Sequence, residues 1–273
     1  MVNSGSSTPD YTMGFSDEFM EIYRRYTAET SAAYLLPHLR PGLRVLDFGC
    51  GPGAISVGLA KAVDPGELHG VDMEESQIDL ARRVAKTAAQ ANAFFHVGDV
   101  TALDFEDNSF DLAHCHNVLM HVPDTRAVLD EVKRVLKPGG LLACREMISA
   151  SSFTHPDYGV IRKAWDMFED LLMADDAHPQ MGKDMKGHLM EAGFENLRMT
   201  ASFDIYSTPK DRDFIYGLAL QWFLSPEITE AAIKYGASSQ ELCDEIATAY
   251  MRWKEEPGAF CAVAFGEVIA NKP

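Results

Sequence analysis

The residues whose types and positions suit chemistry are two histidines and an aspartate, each placed after an apolar run typical of a buried strand. His116 and His121 follow one such run. An imidazole changes its charge near neutral pH, so either histidine can act as a general base, although a structural role is the alternative for both. Asp72 follows another run, where an ionised carboxylate can accept hydrogen bonds from both hydroxyls of a ribose. The alternative for Asp72 is an acid at a helix N-terminus, stabilised by the helix dipole.

A glycine-rich turn supplies the cradle that such a ligand needs. The stretch Leu43–Ala54 begins with alternating apolar residues and then contains Gly49, Gly51 and Gly53. Glycine adopts positive φ and lets backbone N–H groups approach a ligand without an intervening Cβ atom. A helix-like run follows, and the start of a helix contributes free amides and partial positive charge. On its own, this G-x-G-x-G pattern fits either a ligand cradle or a tight turn between a strand and a helix.

The spacing between these features favours a nucleoside site. Asp72 lies 19 residues after Gly53, close to the separation of about 20 residues at which Rossmann folds place a ribose-binding acid. Met73 comes next, where an apolar side chain is placed to pack on an adenine face. Gln77 stands near the start of the following helix, within reach of the nucleoside. We therefore predict that the ends of the first two strands bind one nucleoside-containing ligand.

The stretch Val45–Gly53, Val-Leu-Asp-Phe-Gly-Cys-Gly-Pro-Gly, resembles the nucleotide loop of class I S-adenosylmethionine-dependent methyltransferases. A helix, the turn Lys137–Gly140 and a strand give a further match. The later motifs are most similar to the ubiquinone/menaquinone-biosynthesis-type branch (methyltransferase domain 11/25-like). The resemblance extends from Leu43 to Phe194. It implies S-adenosyl-L-methionine as the cofactor and methyl transfer as the activity (EC 2.1.1.-).

The resemblance also implies which residues contact the cofactor. In this family an acid at the position of Asp99 accepts the adenine amino proton, and the next backbone N–H donates to the ring. The end of the fourth strand faces the transferable methyl group, which makes His116 and His121 the candidate catalytic residues. An N-terminal helical segment folds over the cofactor, with core packing as the alternative. The predicted cofactor-binding residues are Tyr26, Thr27, Gly49, Cys50, Gly51, Gly53, Asp72, Met73, Gln77, Gly98, Asp99, Val100, His116, Asn117 and His121.

Alternating strand and helix patterns must position these residues, which predicts an α/β fold. We expect a doubly wound, mostly parallel seven-stranded sheet of the Rossmann-like class I methyltransferase type. Two N-terminal helices precede it, one opening at Gly14–Ser16 and one over Ser31–Leu39, and a helical cap is inserted late, over Ser207–Lys254. The predicted divisions are an N-terminal helical segment (1–40), a cofactor-binding core (41–150) and a remainder (151–273) that completes the sheet and forms the acceptor pocket.

Composition argues against several classes of partner. The 273-residue chain has 41 acidic and 24 basic side chains, a formal net charge of −17, so it would repel a phosphate backbone and no nucleic-acid partner is expected. Its fourth strand also leads into His116–Leu119 instead of the Asn/Asp-Pro-Pro-aromatic motif of enzymes that methylate base amino groups. No apolar run approaches the ~18 residues of a membrane span. The polar N-terminus lacks the order of a secretion signal, and the five cysteines show no C-x-x-C spacing, so we expect a cytoplasmic protein with reduced thiols.

The sequence leaves several alternatives for the methyl acceptor and for the function. Methionine and aromatic residues of the late helices, among them Trp222, Phe223 and Trp253, predict either self-packing or an apolar acceptor pocket. We favour in-line SN2 transfer to a small, apolar or aromatic metabolite, with alignment supplying roughly 7–11 kcal/mol. A phenol or acidic carbon would need a base, whereas a deprotonated amine or thiol would not. An NAD(P)-binding oxidoreductase and a non-catalytic methyltransferase-like binding protein stay open as alternatives. No metal is expected, and homodimerisation is left open.

Overall fold

A mixed eight-stranded sheet organises the part of the chain that the computed structural model describes, residues 25–174, 176–234, 236 and 238–273. Five strands, β1 to β5, run parallel to one another, and the last strand, β8, runs antiparallel to β5, β6 and β7. The strand order is β3-β2-β1-β4-β5-β8-β6, with β7 paired to β8 beside this path. The strands span Arg44–Phe48 (β1), Glu67–Asp72 (β2), Ala93–Val97 (β3), Phe110–His116 (β4), Leu136–Met147 (β5), Phe153–His155 (β6), Glu195–Tyr206 (β7) and Phe260–Asn271 (β8).

Helices cover both faces of this sheet. The short α1 and α2 pack with Val45 and Leu112 on one face, whereas α4 and α6 pack with Leu46 and Leu142 on the other. Successive strand residues point to opposite faces, so this alternation follows directly from the strand register. The helices span Ala28–Ser31 (α1), Ala54–Val63 (α2), Glu75–Thr87 (α3), Thr125–Val135 (α4), Ile161–Ala174 (α5), Met181–Glu191 (α6), Pro209–Trp222 (α7), Pro226–Lys234 (α8) and Gln240–Glu255 (α9).

The predicted α/β fold with a doubly wound, mostly parallel sheet is confirmed. All seven predicted strands are present, and β6 adds an eighth of three residues that pairs with β8. The predicted helix over Ser31–Leu39 is wrong, because α1 ends at Ser31 and only a 3-10 turn, Leu36–His38, follows. Pro37 lies inside that turn, and its missing N–H removes a donor that a continuous helix would need. The predicted helix that opens at Gly14–Ser16 lies outside the described residues.

The cap predicted late in the chain consists of α7, α8 and α9, inserted between β7 and β8. Since β8 pairs with β5, the last third of the chain completes the same sheet that the first half begins. The division at residues 40 and 150 stays a prediction. Among the described residues, none of the helices is both long enough and apolar enough to cross a membrane.

Candidate functional site

The carboxyl ends of the parallel strands bring the predicted site residues to one edge of the sheet. The glycine loop follows β1, Asp72 ends β2, the Gly98–Val100 turn follows β3, and His116 ends β4. Because these four strands are adjacent and parallel, their ends meet at the edge where open α/β sheets bind ligands. The predicted cofactor-binding residues after these strands therefore lie near one another.

The glycine loop has no room for side chains at two of its positions. Gly49 and Gly53 have φ of +65° and +76°, in the left-handed region that favours glycine. A Cβ atom at Gly49 would overlap the side chain of Val118, and one at Gly53 would lie 2.8 Å from the Ala81 Cβ. Gly53 is also the N-cap residue of α2, which begins at Ala54. The absence of side chains at these two glycines therefore lets the loop pack closely against Val118 and Ala81, beside the free amides at the N-terminus of α2.

The Asp72 carboxylate ties the glycine loop to the end of β2. Its Oδ2 accepts the backbone N–H of Gly51 at 2.9 Å, and its Oδ1 accepts that of Glu74 at 3.0 Å. Burial raises the pKa of Asp72, and these two N–H bonds act in the opposite direction. A carboxylate has about four lone-pair sites, so accepting two amides leaves capacity for a sugar diol. The next residue, Met73, leaves 61% of its surface exposed at the same edge.

Four further predicted cofactor contacts follow β2 and β3. Gln77 is buried in the first turn of α3, and its Oε1 has no hydrogen-bond partner among the described residues. Gly98 donates its N–H to the backbone oxygen of Asp72 at 2.9 Å, which fixes the turn after β3 against the end of β2. Asp99 is exposed, and its Oδ1 accepts both the N–H and the hydroxyl of Thr101, at 2.8 and 2.7 Å. Val100 is partly buried against the main core.

Cys50 lies in the cradle but is not placed for thiol chemistry. Burial, reinforced by the nearby carboxylates of Asp47 and Asp72, raises the pKa of the Cys50 thiol well above its usual value. Its backbone N–H donates to the Val71 oxygen at 3.0 Å. A neutral, buried thiol is a small apolar side chain. The contribution of Cys50 to the loop is thus made through its backbone.

His116 stands in an aromatic enclosure beside these loops. Its ring centroid is 4.6 Å from that of Tyr26, at an interplanar angle of 72°, and 5.5 Å from that of Phe265. Both ring nitrogens are buried and have no hydrogen-bond partner among the described residues. Burial, followed by the positive charge of Arg145, holds the pKa of His116 well below its usual value. The imidazole is therefore neutral, with one free donor and one free acceptor.

The loop after His116 places the other two predicted residues of this strand end. Asn117 has φ of +54°, and its side-chain oxygen accepts the Met147 N–H at 3.1 Å. His121 ends a 3-10 turn, Leu119–His121, and its N–H donates to the Val118 oxygen at 3.0 Å. Burial lowers the pKa of His121 to about 4. Two neutral imidazoles thus stand five residues apart on this loop.

The two N-terminal candidates have different positions. Tyr26 reaches His116 through the ring contact already described. Thr27 is the N-cap of α1, where its hydroxyl accepts the Thr30 N–H at 3.3 Å in a capping box. That bond gives Thr27 a local structural role. Its contact with the cofactor stays a prediction.

A buried ionic cluster beside His116 was missed by the sequence analysis. Arg145 is 1% exposed and is the strand partner of His116 across β4 and β5. Its Nη2 lies 2.7 Å from Asp204 Oδ1 and its Nε lies 3.5 Å from Glu267 Oε1, while its guanidinium carbon sits 3.6 Å from the centroid of the Phe265 ring. The Nη1 atom has no partner among the described residues. The only sign of this cluster in the sequence was an Arg-Glu pair within an apolar strand.

A second polar group lies beneath the site and was also missed. Asp47 is 3% exposed in the middle of β1 and accepts a hydrogen bond from His114 Nδ1 at 2.8 Å and one from the Ser56 hydroxyl. These bonds join β1 to β4 and to α2, directly below the glycine loop. In the sequence, the only sign of this polar group was a carboxylate inside an apolar run. Across the described ranges, no cluster of three or more His, Cys, Asp or Glu side chains is arranged to hold a metal ion.

Comparisons with known proteins bear on this geometry. A family model described as "Methyltransferase domain" matches residues 39–164. An uncharacterized methyltransferase of Schizosaccharomyces pombe, C1B3.06c, is 30% identical over 277 residues, which cover 96% of each chain. A demethylmenaquinone methyltransferase of Staphylococcus aureus is 35% identical over 176 residues, 59% of this chain and 71% of that relative. These relatives are methyltransferases, which favours that activity over the oxidoreductase and the non-catalytic alternatives.

A solved structure gives the same fold. Haemonchus contortus phosphoethanolamine N-methyltransferase 2 in complex with S-adenosyl-L-methionine aligns with a TM-score of 0.56 at 18% sequence identity. The alignment covers 90% of this chain and 52% of that chain. At this identity the likeness concerns the fold alone.

Proposed function

The chain belongs to the S-adenosylmethionine-dependent methyltransferases, and we propose that it methylates a small, apolar or aromatic metabolite. The observation that carries this proposal is the enclosure of a neutral, unbonded His116 between aromatic rings, at the end of the strand beside the glycine cradle. When bound, S-adenosyl-L-methionine supplies an electrophilic methyl group on a sulfonium. The protein must hold an acceptor in line with that group and exclude water.

The residues at the strand ends fit a nucleoside. The glycine loop packs its backbone against Val118 and Ala81 at the end of β1, and the buried Gln77 Oε1 is an acceptor without a partner among the described residues that a nucleoside donor would satisfy. We propose that Asp72 accepts the ribose hydroxyls, and that Met73 packs on the adenine. The proposal extends to Asp99 and the Val100 N–H at the adenine edge, and to the remaining predicted contacts, Tyr26, Thr27, Cys50, Gly51, Gly98, His116, Asn117 and His121.

The helices that roof the sheet favour an apolar acceptor. The rings of Phe168 and Trp222 stack with centroids 5.7 Å apart and planes inclined by 7°, and Trp165 and Phe223 lie 5.6 Å apart. Trp165 Nε1 is buried with no partner among the described residues, so a ligand oxygen there would satisfy it. The relative from Staphylococcus aureus is named for an acceptor, demethylmenaquinone, and an acceptor with an aromatic or quinol-like ring fits such a wall.

We assign proton acceptance to His116. Methylation of a hydroxyl forms the O–CH3 bond and breaks the S–CH3 bond, and the oxygen then carries a strongly acidic proton. A neutral imidazole can take that proton even when burial holds the pKa of His116 well below its usual value. His121, with its pKa lowered to about 4 by burial, is the second candidate. An acceptor that is already deprotonated would need neither.

A turnover assay tests this assignment. The wild-type protein is incubated with S-adenosylmethionine and a panel of phenols, quinols, amines and thiols, and S-adenosylhomocysteine is measured. With a hydroxyl acceptor, His116→Asn should lower kcat by about 10²–10⁴-fold, as expected for loss of a general base. His155→Asn, an exposed histidine, is the control. Unchanged turnover in both His116→Asn and His121→Asn would remove the two histidines from the chemistry.

We also propose a cellular setting and a class of acceptor. The five cysteines are free, and the net charge is −17. Both features support a reducing, cytoplasmic location and a small-molecule acceptor instead of a nucleic acid. Light scattering would determine whether the protein forms a homodimer.

A further inference from the structure

A buried carboxylate at the end of β5 faces the loop that carries His116 and His121. Glu146 is 0% exposed and immediately follows Arg145 on the strand, so its side chain points to the opposite face of the sheet. It reaches the residues between the two histidines.

Glu146 accepts three consecutive backbone amides of that loop. Its Oε1 accepts the N–H groups of Val118 and Leu119, both at 2.9 Å, and its Oε2 accepts that of Met120 at 3.2 Å. The Cys115 thiol donates to Oε1 at 3.7 Å. These amides open the 3-10 turn Leu119–His121 and have no earlier turn to bond to. One side chain therefore caps the whole loop.

The cost of this arrangement argues for a role beyond stability. Among the ion pairs of the described residues, none involves Glu146, so its charge is offset by three N–H dipoles and one thiol. A buried carboxylate without a cation is expensive, and an apolar side chain would fill the same space at lower cost. The carboxylate does what an apolar side chain cannot, which is to fix three amides in one conformation.

The loop that Glu146 holds in place borders both the cofactor side and the acceptor side of the site. Val118, whose N–H binds Glu146, covers Gly49 so closely that a Cβ atom there would overlap its side chain. On one side of Val118 stand His116 and Asn117, and on the other His121. A change at Glu146 is thus transmitted to the cofactor cradle through Val118 and to the acceptor side through the histidines.

We propose that Glu146 is a positioning residue for methyl transfer, which holds residues 118–120 so that the glycine cradle and the flanking histidines keep their relative places. The part concerning the histidines rests on the proposed function above. The part concerning the cradle does not, because it depends only on the contact between Val118 and Gly49.

Amide exchange and product binding test the proposal without an identified acceptor. Three variants are compared: Glu146→Ala, which removes all the bonds; Glu146→Gln, whose single oxygen keeps at most the two Oε1 bonds; and Cys144→Ala, a buried change on the same face of the same strand as the control. Hydrogen exchange at residues 118–120 and the Kd for S-adenosylhomocysteine, measured by calorimetry, are the readouts. The amides should exchange fastest in the Ala variant, at an intermediate rate in Gln, and as in the wild type in Cys144→Ala.

The affinity should follow the same order. We expect S-adenosylhomocysteine to bind about tenfold more weakly to Glu146→Ala, about threefold more weakly to Glu146→Gln, and within about twofold of wild type to Cys144→Ala. Equal weakening in Cys144→Ala, or wild-type exchange and affinity in Glu146→Gln and Glu146→Ala, would overturn the proposal. If Glu146→Ala fails to fold, the Gln variant decides alone. His116→Asn should leave amide exchange at 118–120 unchanged, so failure of the histidine assignment is distinguished from failure of this one.

Discussion

At the scale of single residues, the ionisation of Glu146 couples the site to stability. Burial raises the pKa of this carboxyl to about 7 from 4.5, while the three loop amides act against that shift. The Cys115 thiol, which also faces it, is held neutral because burial raises its pKa well above the usual value. The other groups bonded to it are the three loop amides. Glu146 is therefore the group in this cluster that titrates near neutral pH.

The sign of the effect follows from proton linkage. The folded state binds this proton more tightly than the unfolded state, so the stabilising contribution is complete below pH 4.5 and is lost as the pH rises through 7. Between pH 5 and 8, the wild type should lose about 2.5 kcal/mol relative to Glu146→Gln, which cannot ionise. Urea unfolding of both proteins at the two pH values measures this difference. Parallel pH dependence in the two proteins would mean that Glu146 does not titrate in this range.

At the scale of elements, the glycine cradle and the β4 loop form one packed unit. Gly49→Ala should destabilise the protein in two ways, through the positive φ of +65° and through overlap of the new methyl with Val118. The overlap alone should cost about 1–3 kcal/mol, as overpacking does. Gly42→Ala is the matched control, because Gly42 has φ of +89° but nothing within 4 Å of its Cβ direction. Adding Val118→Ala to Gly49→Ala should recover the overlap term, as urea unfolding of the double-mutant cycle would show; additive effects would contradict the packing argument.

Local patterns predicted the elements of the site well because each has its own signal. The glycine turn, the acid after β2 and the histidines after β4 all follow apolar runs that a strand must contain. Strand β6 was not predicted, because three residues are too few to show an alternation of apolar and polar side chains. Its partner, Phe260–Ala262, also lies more than 100 residues away in sequence. The helix predicted over Ser31–Leu39 was wrong, because Pro37 lacks the N–H that a continuous helix needs.

The buried polar groups were not predicted from the sequence, for a related reason. Arg145 is matched by Glu267 only because β5 and β8 pair in one antiparallel register, and that register is a property of the assembled sheet. Glu146 likewise depends on amides contributed by a different strand end. Residues that bind through neighbouring sequence were therefore predictable, whereas those that bind through strand pairing were not.

At the scale of the whole molecule, β8 joins the two halves of the sequence. It pairs with β5 on one side and β7 on the other, and it carries Glu267, which contacts Arg145 and accepts the Thr200 and Ser202 hydroxyls at 2.7 and 2.6 Å. Without β8, the buried guanidinium of Arg145 would lose Glu267, and β5 would become an exposed edge strand. The predicted boundary at residue 150 should thus mark a functional division without being a folding boundary.

Truncated fragments test whether residue 150 is a folding boundary. A fragment of residues 1–150 should show no cooperative thermal transition, because β5 loses its partner β8 and Arg145 loses both Glu267 and Asp204. Co-expression of fragments 1–150 and 151–273 should restore a cooperative transition, since strand pairing does not require an unbroken chain. Full-length Arg145→Ala separates the ionic contribution from the strand pairing, and it should unfold cooperatively at a lower temperature than wild type. If fragment 1–150 alone unfolds cooperatively near the midpoint of the full chain, the first half is an independent domain and β8 merely extends it.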